Sequence, residues 1–275
     1  MSTKNNKFSF IDKIYMELAL DLAKARKGLT GTNPSVGCVI VKNDKIISIG
    51  QTSFNGRPHA ELNAIKSCTE NLKGSKMYVT LEPCSHNGVT APCTTAIINS
   101  KIAEVIYSIK DIDGRVRGKT YRILSLKKIN VKSNLLKNKI DQFYNSYFYN
   151  RIKKLPFVTG KIAISKNNLI YSMGNKKITN DLSDNFTHYL RYKNDSIMIT
   201  YKTLNKDNPR LDCRLKYFKK FSPKRVILDN KLNLNIKSYL FKTANKENTI
   251  VFFNEADKSK IIKFKKRKIN LIKSN

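Results

Sequence analysis

The chain has 275 residues, of which 40% are hydrophobic, and carries a formal net charge of +33. That length allows two ordinary domains, and that apolar content argues against a disordered chain. Five scattered cysteines (Cys38, Cys68, Cys84, Cys93, Cys213) exclude a disulfide framework, and no export segment or apolar run near the roughly 20 residues of a membrane span is present. A reducing cytoplasm is the expected location, with no membrane partner.

The charge would suit nucleic acid, membrane phosphates or an anionic small substrate. Lys, Asn and Ile are abundant everywhere, however, and the lysines are spread along the chain without the aromatic interleaving of single-strand binders. Compositional bias explains the charge better than a nucleic-acid surface does. A basic nucleic-acid-binding protein stays as the competing reading.

In chain order, residues 1–10 predict a polar, frayed start. From Asp12 to about Lys27, Ile14, Tyr15, Leu18, Ala19, Leu22 and Ala23 recur at helical spacing, and Gly28 stops the pattern. Thr32-Asn33-Pro34 reads as a turn. Val36–Val41 and Lys45–Ile49, joined across Asn43-Asp44, predict a β-hairpin. His59 to about Leu72 predicts a helix, Met77–Leu81 a buried strand, and Glu82–Pro92 a loop rich in Ser, Asn, Gly and Pro. A helix is expected from Cys93, a strand over Ala103–Ile109, then helix, strand and helix to about Arg151.

Such alternation predicts an α/β layer with helices on both faces. Lys153-Lys154-Leu155-Pro156 marks the expected boundary between domains at 1–152 and 157–275. Beyond it the pattern predicts strands over Phe157–Ile164, Ser196–Thr200, Arg225–Leu228 and Thr249–Phe253, a helix over Asp181–Tyr192, and a last apolar piece near Ile269–Ile272. The run Lys258–Lys268 reads as a solvated face or loose tail.

Chemistry concentrates in Pro58-His59-Ala60-Glu61 and in Glu82-Pro83-Cys84 continuing to Pro92-Cys93. One imidazole and two thiolates suit zinc, which prefers nitrogen and sulfur in a tetrahedron and leaves one position open in catalytic sites. A carboxylate beside that position can move protons. Pro83-Cys84 and Pro92-Cys93 both read as helix starts, where a thiolate is favoured. Zinc nucleobase deaminases carry H-x-E followed by P-C-x-x-C, with the Glu as proton shuttle. Here the second Cys follows the first by nine positions. Each element alone would be weak, since a lone His is more often structural and two Cys can coincide in a core. The ordered set points to a zinc hydrolase, with His59, Cys84 and Cys93 as ligands and Glu61 as catalyst.

Thr32-Asn33-Pro34-Ser35-Val36-Gly37-Cys38-Val39-Ile40-Val41, Pro58-His59-Ala60-Glu61 and the stretch Val79 to Cys93 (VTLEPCSHNGVTAPC) resemble the family of bifunctional riboflavin-biosynthesis deaminase–reductases. The resemblance implies hydrolytic deamination of a diaminohydroxy-phosphoribosylamino-pyrimidine to the aminouracil, on a cytidine-deaminase-like α/β/α layer. It implies that Asn33 and His86 hold the pyrimidine or its ribose phosphate. The long loop between Cys84 and Cys93 separates this family from tRNA adenosine and cytidine deaminases. The second half is similar to a dihydrofolate-reductase-like α/β domain that reduces the ribosyl group with NADPH. Lys161-Ile162-Ala163-Ile164-Ser165 matches its opening strand, and Thr203 to Arg214 its T-x-x-x-D-x-P-x-L-x-x-R segment. By resemblance Ala163, Thr203, Asp207 and Asn230 meet the cofactor, while Arg191, Leu211 and Arg214 meet the substrate. The expected partner is the phosphorylated pyrimidine substrate; a homo-oligomer is left open by the sequence.

Several positions depart from the family. Thr52 stands where His is usual, Val89 where a basic residue is usual, and Asp111-Ile112-Asp113-Gly114 where Asp-Pro-Asn-Pro is usual. Ser165-Lys166-Asn167-Asn168 replaces Ser-Leu-Asp-Gly, and no Trp stands near Lys177. A final segment with a glycine-rich loop for the cofactor's pyrophosphate is not found before Asn275, so an incomplete reductase is expected. Thr52 and Val89 motivate the second enzyme reading, a zinc deaminase of a different amino-pyrimidine or nucleotide.

Overall fold

The computed structural model describes residues 8–170 and 178–274; residues 1–7 of the expected polar start and the position near Lys177 lie outside them. The chain divides into two compact units, Met1–Gly160 and Lys161–Asn275.

The first unit runs α1 (Phe10–Arg26), β1 (Gly37–Lys42), β2 (Lys45–Gln51), α2 (Ala60–Ser67), β3 (Lys76–Leu81), α3 (Cys93–Asn99), β4 (Glu104–Ile109), α4 (Lys119–Leu126), β5 (Asn130–Ser133) and α5 (Lys137–Lys153). Its sheet has the order β2-β1-β3-β4-β5, with β1 antiparallel to both neighbours and β3, β4 and β5 parallel. Asn43 and Asp44 both take positive φ, which suits the short right-twisted hairpin between β1 and β2. Ser9 and Asp12 form a reciprocal capping box that starts α1.

Two glycines set how closely the helices lie on this sheet. A Cβ on Gly37 would stand 1.8 Å from the Ala19 carbonyl oxygen, and one on Gly50 would stand 2.2 Å from that of Ala60. Gly50 pairs with Cys38, the neighbour of Gly37, so alternation puts the two glycines on opposite faces. Thus α1 covers one face and α2 the other, the predicted layering. The approach at Gly37 also fixes the rotation of α1. Tyr15, Met16, Ala19, Leu20 and Ala23 are buried, whereas Ile14, which the periodicity points inward, is exposed. The core gathers Val39, Ile40, Tyr78, Val105, Ile106 and Tyr144, whose hydroxyl donates to the Ser35 carbonyl and shares a 2.7 Å hydrogen bond with Thr80.

The second unit runs α6 (Asp181–Lys193), β6 (Ser196–Thr200), α7 (Tyr201–Asp207), β7 (Lys224–Leu228), α8 (Tyr239–Lys242), β8 (Thr249–Phe253), α9 (Lys258–Lys266) and β9 (Asn270–Lys273). The four strands are parallel in the order β6-β7-β8-β9. Leu204, Leu211, Ile227, Leu240, Val251 and Phe264 form its core. The buried Arg225 of β7 has no carboxylate partner among the described residues and instead donates to Thr249, Thr243 and Asn248, so each nitrogen of its fork has a partner.

Three expectations need correction. Residues 157–164 form no strand; among the described residues they make no ladder to either sheet, and Phe157, Val158, Ile162 and Ile164 stay exposed. An apolar run needs a partner strand to satisfy its backbone, whatever its composition. The helix expected from His59 to Leu72 is α2 alone and ends at the Cys68 cap. The basic run at Lys258 is no loose tail: it forms α9, anchored by the buried Phe264. No helix among the described residues is long and apolar enough to cross a membrane.

Candidate active site

His59 is the residue before α2, in extended conformation, and its side chain makes no capping bond. The imidazole is therefore free to turn away from the helix. Its Nδ1 stands 3.5 Å from Cys84 Sγ and 3.4 Å from Cys93 Sγ. The three ligand atoms all lie within 4.8 Å of one another. A tetrahedral zinc with Zn–S of about 2.3 Å and Zn–N of about 2.0 Å has N···S edges of about 3.5 Å. The donor set and its spacing thus fit zinc, with Nδ1 as the ligand nitrogen.

Cys93 opens α3, as the sequence predicts, but Cys84 starts no helix; it sits in the loop after β3. The Pro83-Cys84 expectation fails because the loop must carry Cys84 back to α3. The benefit of a helix start reaches it from the neighbour instead. The Cys93 amide donates to Cys84 Sγ at 3.2 Å, and the Thr94 amide donates to the Cys84 carbonyl. The Cys93 thiol, His59 and that amide together draw the Cys84 thiol down to about 4, against the cost of burial. Cys93, whose buried thiol keeps its proton and donates a hydrogen bond to Cys84, is pushed well up. His59 is raised, mainly by its bond to Cys84, with burial opposing.

Glu61, in the first turn of α2, is only 3% exposed. Burial pushes its carboxyl up to about 7; His59 opposes this, the Cys84 thiolate adds to it, and Cys93 is in hydrogen-bonding contact. A carboxyl poised there can both accept and return a proton near neutrality.

Asn33 and His86 line the same cavity as His59, Glu61 and Cys84. The Asn33 amide donates to the Gly56 carbonyl at 3.1 Å, and a Cβ on Gly56 (φ +90°) would meet that amide at 2.4 Å. His86 Nδ1 is buried without a protein partner. Thr52 is buried: its hydroxyl accepts from the Val36 amide and donates to the Pro34 carbonyl, bracing the turn that carries Asn33. Val89 is 85% exposed.

The sequence pattern missed the far wall. Glu82 is buried, and its carboxylate accepts from the amides of Asp111, Gly118 and Thr120, which folds residues 111–118 over the cavity. This segment brings Asp111, Asp113 and Arg115 to the site, joined by Arg57, Tyr147 and Arg151. Arg115 holds Asp113 down to about 2, and burial raises Asp111. No motif spacing announces Arg57, Arg115, Tyr147 or Arg151; Asp111 and Asp113 stand in the segment that departs from Asp-Pro-Asn-Pro, and Glu82 stands beside the Pro-Cys pair.

In the second unit the structure brings some expected residues together and leaves others apart. Arg191 donates to the Asp212 carbonyl at 3.0 Å, its Nη1 stands 3.4 Å from His188 Nδ1, and its Nε is buried without a partner. The Arg214 amide donates to the same His188 nitrogen, and its guanidinium pairs with Asp212. Burial and the two guanidinium groups lower the His188 pKa, which keeps that ring neutral. Leu211 is buried beside them in the chain, with φ +56°. Ala163, Thr203, Asp207 and Asn230 are joined to one another by no hydrogen bond among the described residues. Thr203 and Asn230 do follow the carboxyl ends of β6 and β7, where open parallel sheets bind ligands.

Residues 10–109 match the family described as cytidine and deoxycytidylate deaminase zinc-binding region, and residues 169–274 match the RibD C-terminal domain. The chain is 34% identical over 265 residues to the riboflavin biosynthesis protein RibD of Aquifex aeolicus, covering 96% of this chain and 74% of that protein. Over 142 residues it is 45% identical to the diaminohydroxyphosphoribosylamino-pyrimidine deaminase of Buchnera aphidicola subsp. Schizaphis graminum, covering 52% of this chain and 96% of that one. A solved deaminase/5-amino-6-(5-phosphoribosylamino)uracil reductase from Thermotoga maritima superposes with a TM-score of 0.80 at 30% identity, covering 96% of this chain and 81% of the other.

Proposed function

This chain belongs to the RibD family of riboflavin-biosynthesis proteins, and on that footing we propose that its first unit deaminates a diaminohydroxyphosphoribosylamino-pyrimidine. The observation that carries this is the meeting of His59 Nδ1, Cys84 Sγ and Cys93 Sγ beside the buried Glu61. Zinc held by those three atoms supplies Lewis-acid activation of water. Glu61 takes the proton released from water and passes it to the ring nitrogen next to the amino-bearing carbon. Glu61 then takes the proton of the newly attached hydroxyl and delivers it to the amine, which leaves as ammonia: one C–O bond forms, one C–N bond breaks, and a ring carbonyl results. A carboxyl near 7 suits both directions of transfer. Asn33 and His86 orient the pyrimidine, and the unpartnered His86 Nδ1 supports this role.

The match to the RibD C-terminal domain implies NADPH for the second unit. Arg191, Leu211 and Arg214 are proposed for its substrate, and Ala163, Thr203, Asp207 and Asn230 for the cofactor. Residues 175–275 contain no glycine, so no glycine-rich turn there cradles a pyrophosphate.

The test supplies the phosphoribosyl diaminopyrimidine to zinc-loaded protein and follows ammonia and NADPH separately. Ammonia release that stops on chelation and returns with zinc is expected. Release only from non-phosphorylated amines, or release indifferent to chelation, would overturn the reading.

A further inference from the structure

The loop between the two cysteine ligands contains no lysine or arginine. Three guanidinium groups nevertheless line the cavity: Arg57, Arg115 and Arg151. Two of them are occupied. Arg115 grips both carboxylate oxygens of Asp113, and Arg151 donates to the Thr32 carbonyl while lying over the Tyr147 ring. Arg57 is different. It is half-buried, has no carboxylate partner among the described residues, and spends one nitrogen on a neutral hydroxyl, with Nη1 donating to Thr90 Oγ1 at 2.8 Å.

That bond stretches the Arg57 side chain across the mouth of the site onto the cysteine loop. Its Nη2 comes within 3.8 Å of the point where a Cβ on Gly88 would stand, and His86 Nε2 reaches the same point at the same distance. A part-desolvated guanidinium with free donors and no counter-ion favours an anion, and its planar fork matches the oxygens of a phosphate monoester.

We propose that Arg57, braced by Thr90 beside His86, is the residue of the deaminase site that binds the substrate's phosphate. It selects phosphorylated over dephosphorylated pyrimidines. This rests on the deaminase reading above for the substrate's identity, but not for the anion site itself.

The experiment compares wild type with Arg57→Gln, Arg57→Lys and the double variant Arg57→Gln/Val89→Lys. Two readouts are used: the ratio of kcat/KM for phosphorylated over dephosphorylated substrate, and calorimetric binding of ribose 5-phosphate to the zinc-loaded protein. Arg57→Gln is expected to lower the ratio about 10- to 100-fold and to weaken ribose 5-phosphate comparably, the loss of a charge-assisted contact. Val89 is exposed and adjacent to Thr90, so a lysine there is expected to restore much of both; Arg57→Lys should fall between. An equal loss on both substrates, or unaltered ribose 5-phosphate binding, would assign Arg57 a merely structural role and overturn the proposal. If wild type released no ammonia while ribose 5-phosphate still required Arg57, the deaminase reading would fall and the anion site would stand.

Discussion

In the first unit three ligand atoms converge from α2, the loop after β3 and α3, and a buried carboxylate stands against them. In the second unit the residues matched to cofactor share no hydrogen bond among the described residues, only Thr203 and Asn230 of them follow strand ends, and the group around Arg191 is knit together. Both units use parallel strands. The first unit adds two antiparallel strands, β1 and β2, and each carries a glycine at its helix contact. Gly37 and Gly50 let α1 and α2 lie directly on the first sheet, so groups on different elements can share protons. A site built that way has little tolerance for added volume, and its members lose function as a set.

The sharpest way to break this contrast is Glu61→Gln. Loss of a positioned proton shuttle is expected to cut kcat for ammonia release about 10²- to 10⁴-fold while metal analysis still finds one zinc per chain. A fall of less than tenfold would mean that the buried carboxyl does not carry the protons.

Gly50→Ala comes next. The new Cβ would meet Ala60 backbone rather than a flexible side chain, so α2 must move with His59 and Glu61. A stability loss of about 3 kcal/mol in denaturant titration is expected, at the upper end for overpacking, together with weaker zinc retention. Full zinc retention in a destabilised variant would separate packing from site geometry.

A smaller effect should appear with pH in the chelated protein. Glu61 is raised from 4.5 to about 7 in the folded state. Between those values the native state holds a proton that the unfolded state has lost, so the contribution of Glu61 to stability falls as pH rises through the window. Cys84, lowered to about 4, pulls the other way, which makes the difference between wild type and Glu61→Gln the useful quantity. The variant's relative stability is expected to grow by on the order of 1 to 3 kcal/mol from pH 4.5 to 7. A flat difference would show that the carboxyl titrates normally.

Much of the first unit was legible because its signals are local. The hairpin turn at Asn43-Asp44, the apolar runs of β1, β3 and β4, and the spacing of His59, Glu61, Cys84 and Cys93 need no long-range knowledge. Legibility ended where partners from distant elements decide. The face of α1 is set by Gly37, the thiolate of Cys84 by the Cys93 thiol with His59 and the Cys93 amide, and the fate of 157–164 by whether a strand lies beside it. Arg57, Asp113 and Arg115 reach the cavity through folding alone. The charge of +33 gave no comparable guidance; the cation singled out here is defined by the partner it lacks, which composition does not record.

The clamp made by Glu82 has a consequence for how this pocket can change. Residues 111–118 are fastened to the sheet through the amides of Asp111 and Gly118, with Thr120 just beyond. Ile112, Asp113, Gly114 and Arg115 lend none of their side chains to that attachment. Substitutions among them can therefore accumulate without unfastening the wall. This gives the protein a stretch in which substrate range can drift while the proposed metal ligands and the proposed shuttle Glu61 stay put, and the altered Asp111-Ile112-Asp113-Gly114 segment lies within it.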